Sequence, residues 1–240
     1  MQLTISSTKQ QTAEDFTDWL VQLIGSKDSL HIALSGGSTP KIVFDELASR
    51  HLSKNEWRKV HLYWGDERCV PPGNAESNYK MTVEHLLSKI DITEENIHRI
   101  RGENDPRQEA KRYSEVLKEK LPMIDNLPQF DLIILGMGDD GHTASIFPYE
   151  IGLWNADQLC EVAEHPETRQ KRITITGRII NHAASVAFCV TGEGKAEKVG
   201  EIVDERGDFI SYPAHLVHPL NGNLFWFLDE AAASGITSRS

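Results

Sequence analysis

Four apolar residues, Leu132-Ile133-Ile134-Leu135, run straight into a turn carrying Gly136, Gly138 and Gly141, with Asp139, Asp140 and His142 set among the glycines. An unbroken apolar run of this length predicts a strand covered on both faces, which is a property of parallel sheets sandwiched by helices. The glycines allow a sharp turn at its carboxyl end, and open α/β sheets bind ligands outside the carboxyl ends of their strands. The turn is therefore expected to deliver Asp139, Asp140 and His142 to a crevice. The same glycines satisfy G-x-G-x-x-G, and Glu161 follows at the offset of a ribose-binding acid. A dinucleotide pyrophosphate would then lie against two aspartates, and Pro148 and Gly152 interrupt the stretch where a crossover helix should run. No nucleotide cofactor is expected.

Other apolar runs extend the pattern. Strands are predicted at Leu3 to Ile5, His31 to Leu34, Val60 to Trp64, Ile173 to Thr176, Val186 to Val190 and Leu224 to Leu228. Amphipathic stretches lie between them, such as Asp105 to Leu121, where Ala110, Tyr113, Leu117 and Leu121 share one face. The fold class expected is α/β, a Rossmann-like, mostly parallel sheet with helices on both faces, in a single domain spanning residues 1–240. The opening MQLTISSTKQQ has no basic end followed by an apolar stretch, and no run reaches membrane-spanning length, so a cytoplasmic protein without a membrane partner is expected. Cys69, Cys160 and Cys189 form no close pair and read as reduced packing residues. A net charge of −11 argues against a nucleic-acid partner and requires that any anionic substrate find locally gathered Arg and Lys.

Several motifs can carry chemistry. Ser35-Gly36-Gly37-Ser38-Thr39-Pro40-Lys41 follows a predicted strand and opens a helix with Val43, Phe44 and Leu47 on one face. Gly36, Gly37, Ser38 and Thr39 offer backbone N–H groups and hydroxyls to a phosphate, beyond what an ordinary capped turn needs, although the GK[ST] ending of a Walker loop is missing. Asp66-Glu67-Arg68 follows another strand and reads equally as a crevice-facing pair, Asp66 and Arg68, or as a solvated loop with a local ion pair. Ser77 or Asn78 is accounted for by helix capping. Arg172 enters the predicted strand at Ile173, and Lys195 follows Gly192-Glu193-Gly194; these two cations are expected to meet the phosphate, with Lys171 and Arg169 as neighbouring alternatives to Arg172. Of ten histidines, His142 alone sits in a glycine turn beside carboxylates, where Asp140 or Asp66 could orient a neutral imidazole toward water. His215 and His218 lack an acidic co-ligand, and no metal site is expected.

Taken in order, LSGGSTPK, WGDERCVPP, SNY, LGMGDDGHTASIFP, RITIT and GEGKAEKV span most of the chain and closely resemble the bacterial 6-phosphogluconolactonases, within a broader group that includes the glucosamine-6-phosphate deaminases. The resemblance implies a Rossmann-like fold without a nucleotide cofactor. It further implies hydrolysis of 6-phospho-D-glucono-1,5-lactone to 6-phosphogluconate, the second step of the oxidative pentose phosphate pathway. The histidine of the DGH turn, His142 here, is the family's water-activating base. Asp66 and Asp140 match other polar residues of the family's site, and Arg68 would meet substrate oxygens or the developing oxyanion. The deaminases carry a glutamate five residues beyond that histidine, where this chain has Phe147. A sugar-phosphate sensor and a covalent serine mechanism through Ser35, Ser38 or Ser145 are the other readings, although none of these serines sits in a G-x-S-x-G elbow. The sequence leaves oligomeric state open.

Overall fold

The computed structural model describes residues 1–220 and 222–238. In chain order its strands are β1 (Gln2–Ser6), β2 (Leu30–Leu34), β3 (Val60–Trp64), β4 (Asp66–Arg68), β5 (Ile97–His98), β6 (Met123–Ile124), β7 (Leu127–Pro128), β8 (Leu132–Leu135), β9 (Cys160–Glu164), β10 (Lys171–Ile175), β11 (Val186–Val190) and β12 (Leu224–Asp229). The α-helices are α1 (Lys9–Ser26), α2 (Ser38–Ser49), α3 (Lys54–Trp57), α4 (Asn78–His85), α5 (Pro106–Lys120), α6 (Gly177–Ile180), α7 (Ala196–Val203) and α8 (Glu230–Ala233).

Seven strands form one sheet in the order β1-β12-β11-β8-β2-β3-β5, and every neighbouring pair is parallel. Every residue of β2, β8 and β11 is buried, as strands covered on both faces must be. From the central β2–β8 pair the chain winds outward in opposite directions, through β3 and β5 on one side and through β11 and β12 on the other. The strand order therefore reverses between β2 and β8, which opens a crevice at their carboxyl ends.

The strand expected at Ile173 to Thr176 is a strand, but it does not belong to this sheet. It runs from Lys171 to Ile175 as β10, the centre of an antiparallel β4-β10-β9 sheet, while Thr176 leaves the strand to open α6. The cause lies at Gly65, whose N–H donates to Leu34 O at 2.8 Å while its carbonyl accepts from Ile175 N–H at 2.8 Å. One glycine thus ties the two sheets together, and the chain leaves the main sheet there to pair again as β4. Asp66 to Arg68, for which a solvated loop is one of two equal readings of the sequence, are consequently strand.

Helix α5 starts as anticipated, with Asp105 capping Gln108 N–H and Pro106 in the first turn. Its buried Tyr113 hydroxyl donates to Trp64 O and accepts from Trp64 N–H, both at 3.0 Å. The Trp64 indole N–H in turn donates to Thr82 of α4 at 3.3 Å. The end of β3, and hence Asp66 just beyond it, is anchored from both helices.

Candidate active site

Four strands of the main sheet lead into the crevice. After β2 come Ser35 to Thr39, after β3 comes Asp66, after β8 come Gly136 to Gly138, His142 and Ala144, and after β11 comes Thr191; together with Arg68, Asn78, Arg172 and Lys195 they line a cavity of about 190 Å³. Gly36, Gly37, Ser38, Thr39, Asp66, Arg68, His142, Arg172 and Lys195 border it as expected, Asp140 lies immediately behind His142, and Asp139, expected in the same crevice, is exposed and does not line it.

Helix α2 begins at Ser38 with Gly37 as its N-cap, at φ 110°, and no side chain caps its first N–H groups. A positive φ there is accessible to glycine at little cost. Open N–H groups and the positive end of the helix dipole therefore face the cavity. Gly36 is required for a different reason: a Cβ on it would fall 1.9 Å from Asn78 Oδ1.

The turn after β8 closes on itself, since Gly138 N–H donates to His142 O at 2.9 Å and Gly141 adopts φ 81°. Thr143 hydroxyl braces it on Gly136 O at 2.9 Å. His142 Nδ1 lies 2.6 Å from Asp140 Oδ1, which also accepts His142 N–H at 3.1 Å. Burial opposes charge on Asp140, but the hydrogen bond and charge of His142 outweigh it and hold its carboxyl below the usual range. In the neutral ring, an ionised Asp140 accepting from Nδ1–H leaves the lone pair on Nε2.

Asp66 does not reach the imidazole. Its carboxylate accepts from Ser145 Oγ at 2.6 Å and from Asn78 Nδ2 at 3.4 Å, both buried, while Ser145 Oγ also receives a 3.4 Å contact from Arg172 Nη1. Ser145 is fully buried and committed to Asp66, which leaves it unsuited to nucleophilic attack. Arg68 and Arg172 stand directly opposite each other on antiparallel β4 and β10, and the Nε of each is buried without a partner among the described residues. Burial and the facing Arg68 charge lower Arg172, with Asp66 working the other way. Two adjacent guanidiniums with unsatisfied donors make this wall a receptor for an anion. Lys195 enters from beyond β11 and pairs with the exposed Asp139 carboxylate.

Glu67 escaped the sequence reading. Its buried carboxylate accepts from Arg68 N–H (2.7 Å), Ser77 Oγ (3.0 Å), and the N–H groups of Asn78 and Tyr79 (both 2.8 Å). Burial nevertheless pushes its pKa up, against those donors. Glu67 thus holds the start of α4 against β4 and places Asn78 beneath the glycine turn. The only sequence signal was its position between Asp66 and Arg68, and alternation along a strand sends that side chain to the opposite face.

Among the described residues no group of three or more His, Cys, Asp or Glu could hold a metal ion, and no helix is long and apolar enough to cross a membrane. Burial pushes the thiols of Cys69 and Cys160 up to about 11 and about 12 and raises Cys189 as well, so none is poised as a thiolate.

The family model of glucosamine-6-phosphate isomerases/6-phosphogluconolactonase matches residues 4–226. The chain belongs to this family. Similar relatives of the isomerase/lactonase family include a 6-phosphogluconolactonase of Haemophilus influenzae, 45% identical over 85% of this chain and 86% of its own, and one of Aggregatibacter actinomycetemcomitans, 42% identical over 94% and 96%. Among solved structures, the devB protein superposes with a TM-score of 0.92 at 39% identity, covering 98% of this chain and 99% of its own. The 6-phosphogluconolactonase of Trypanosoma brucei superposes with a TM-score of 0.86 at 28% identity, covering 98% of both chains. A monomeric glucosamine-6-phosphate deaminase, at 18% identity and a TM-score of 0.82 over 98% of this chain and 99% of its own, shares the fold.

Proposed function

We propose that this chain hydrolyses 6-phospho-D-glucono-1,5-lactone to 6-phospho-D-gluconate with His142 as the base that activates water. The observation that carries the mechanism is the Asp140–His142 pair at 2.6 Å, which commits Nδ1 and leaves Nε2 without a protein partner among the described residues, at the edge of a cavity lined by cations. Nε2 removes a proton from water as its oxygen bonds to the lactone carbonyl carbon, and the imidazolium is stabilised by Asp140. Arg68 faces the oxyanion that develops on the carbonyl oxygen. Collapse restores the carbonyl and breaks the bond to the ring oxygen, which receives from His142 the proton that came from water. One water is consumed, and no cofactor enters the balance.

The phosphate, close to a dianion at neutral pH, is assigned to the open N-terminus of α2 with Ser38 and Thr39, and to Arg172 and Lys195. Lys195 reaches it by exchanging its exposed Asp139 partner for the phosphate. Asp66 keeps Ser145 and Asn78 in place beside this wall, a supporting role and not that of a second base. The same surroundings disfavour the deaminase reaction, because Phe147 packs an apolar ring against the imidazole where ring opening would need a further proton-transfer group.

The test is hydrolysis of freshly generated lactone by the wild-type protein and by His142→Ala, corrected for spontaneous opening, with 6-phosphogluconate binding measured in both. Loss of about 10²–10⁴-fold in kcat with binding retained is expected for removal of a general base. Turnover that survives the substitution would discard His142 as base, and ammonia release from glucosamine 6-phosphate by the wild type would replace the lactonase reading with the deaminase one.

A further inference from the structure

We infer that Phe147 is a positioning residue, a single buried ring that holds the imidazole of His142 and the guanidinium of Arg172 in fixed relation and so couples the water-activating end of the site to its phosphate-binding end. The inference rests on the lactonase reading and adds a residue to it. Phe147 is 1% exposed, yet its surroundings are polar rings and a cation. The His142 ring centroid lies 4.6 Å away at 51°, and the Arg172 guanidinium carbon sits over the ring, 5.6 Å from its centroid. His165 meets it edge-on at 5.4 Å, and Tyr149 lies parallel at 6.1 Å.

Neither functional group is fixed by hydrogen bonds alone. Among the described residues the Arg172 guanidinium has no carboxylate clamp; its one side-chain hydrogen bond is the 3.4 Å contact to Ser145, and its Nε has no partner. The face of Phe147 is thus its principal restraint, through the attraction of a cation to a π-face. His142 is held through Nδ1 alone, and one hydrogen bond leaves the ring free to turn about that axis. Gly138, where a Cβ would fall 2.1 Å from Nδ1, closes one side of the imidazole, and Phe147 packs against it elsewhere. An aliphatic side chain would keep the apolar wall but lose both the flat stop for the imidazole and the attraction for the cation.

The coupling separates this role from simple packing. His142→Ala should change kcat with little effect on KM, and Arg172→Ala chiefly KM. Full-length Phe147→Leu and the unbranched, more adaptable Phe147→Met, each checked for folding by near-UV circular dichroism, should shift both, with KM up about 5-fold and kcat down about 10-fold. KM within twofold of wild type in a folded variant overturns the proposal. A second measurement needs no substitution: inorganic phosphate is titrated into isotopically labelled wild type, and the ring resonances of Phe147 and His142 are expected to move along one common binding curve. Rings that stay still while phosphate binds overturn the proposal, and this readout carries the test where neither variant folds. A wild type inactive on the lactone would sink the lactonase reading separately, since the phosphate titration does not depend on turnover.

Discussion

At Gly138 the lack of one carbon decides where the imidazole of His142 rests. A Cβ there would lie 2.1 Å from His142 Nδ1, 2.2 Å from Cε1 and 2.8 Å from Asp140 Oδ1, distances that force the pair apart. Gly138 is not among the residues of positive φ, so alanine would fit the backbone and the damage would be confined to the side chains. Gly138→Ala is expected to fold and to lose about 10²-fold in kcat, the scale set by a reacting group displaced by about an ångström. Gly152→Ala, where nothing lies within 4 Å of the added carbon, serves as the control and should keep wild-type turnover. Equal activity in the two variants would show that the imidazole can rest elsewhere without loss. The role of Gly138 was only half legible in the sequence: the turn was, because glycines after an apolar run have one obvious use, whereas contact between Gly138 and His142 depends on the turn folding back through its 2.9 Å hydrogen bond. Asp140, two residues from His142, was legible as its partner; Asp66 was a second candidate because a sequence cannot tell which of two carboxylates faces a ring and which faces a serine. Glu67 was invisible as an anchor, since its four donors come from residues one to twelve positions away that only the β4–α4 geometry gathers.

Within the elements, β2, β3 and β5 carry a titratable ladder remote from the cavity lining. His31 is paired in register with His61, and Tyr63 with His98. The His31 and His61 rings stack at 4.6 Å, His61 and His98 at 5.6 Å, and Tyr63 and His98 at 4.4 Å. His61 Nδ1 lies 3.3 Å from His98 Nε2, and His31 Nδ1 lies 3.1 Å from the Tyr63 hydroxyl. Burial lowers all three histidines. Neighbouring positive charge adds to it, from His61 on His31, from Lys120 on His61, and from His61, Lys120 and His31 on His98, which is pushed down to about 4; Asp131 and Glu119 work weakly the other way on His31 and His98. A histidine whose folded pKa is depressed is neutral in the fold and takes up a proton on unfolding, so the unfolded chain binds more protons between the two pKa values. Stability is then full above about pH 6.5, the ordinary histidine value, and is lost as pH falls toward 4. The Tm should drop across that window, ahead of most carboxylate titration, and His98→Phe, which can stack on Tyr63 without titrating, should drop less. Parallel Tm–pH curves for the two proteins would remove the ladder as the cause. That ladder could not be read from spacing, because β5 is two residues long and too short to leave a periodic signal, and the displacement of β10 into a second sheet was hidden for a related reason: an apolar run marks a strand but not its neighbours.

Over the whole molecule, the cavity is shared between the two directions in which the sheet is wound. Gly36 to Thr39, Asp66, Arg68 and Asn78 come from the chain between β2 and α4, while Gly138, His142, Arg172 and Lys195 come from β8 onward. A ligand that touches both sets can bind well only while the halves are joined, so it resists their separation as well as the unfolding of either one. Product is the convenient probe, since 6-phosphogluconate is not consumed. At about 100 times its Kd, ligand binding to the native state alone stabilises by about 2.7 kcal/mol. For a chain of this size that corresponds to a rise of about 5–10 °C in Tm. The reading of residues 1–240 as one domain requires that rise to appear on a single cooperative transition in calorimetry, with the van't Hoff and calorimetric enthalpies equal. Two transitions of which only one responds to product would divide the chain into separately folding parts, and would relocate the ligand's contacts to the responding one. A single transition that does not respond would keep the domain but deny that product binds across the β2–β8 crevice. Inorganic phosphate at the same multiple of its own Kd should give the same rise, because the shift depends on saturation alone; a smaller rise at matched saturation would mean that it also binds the unfolded chain.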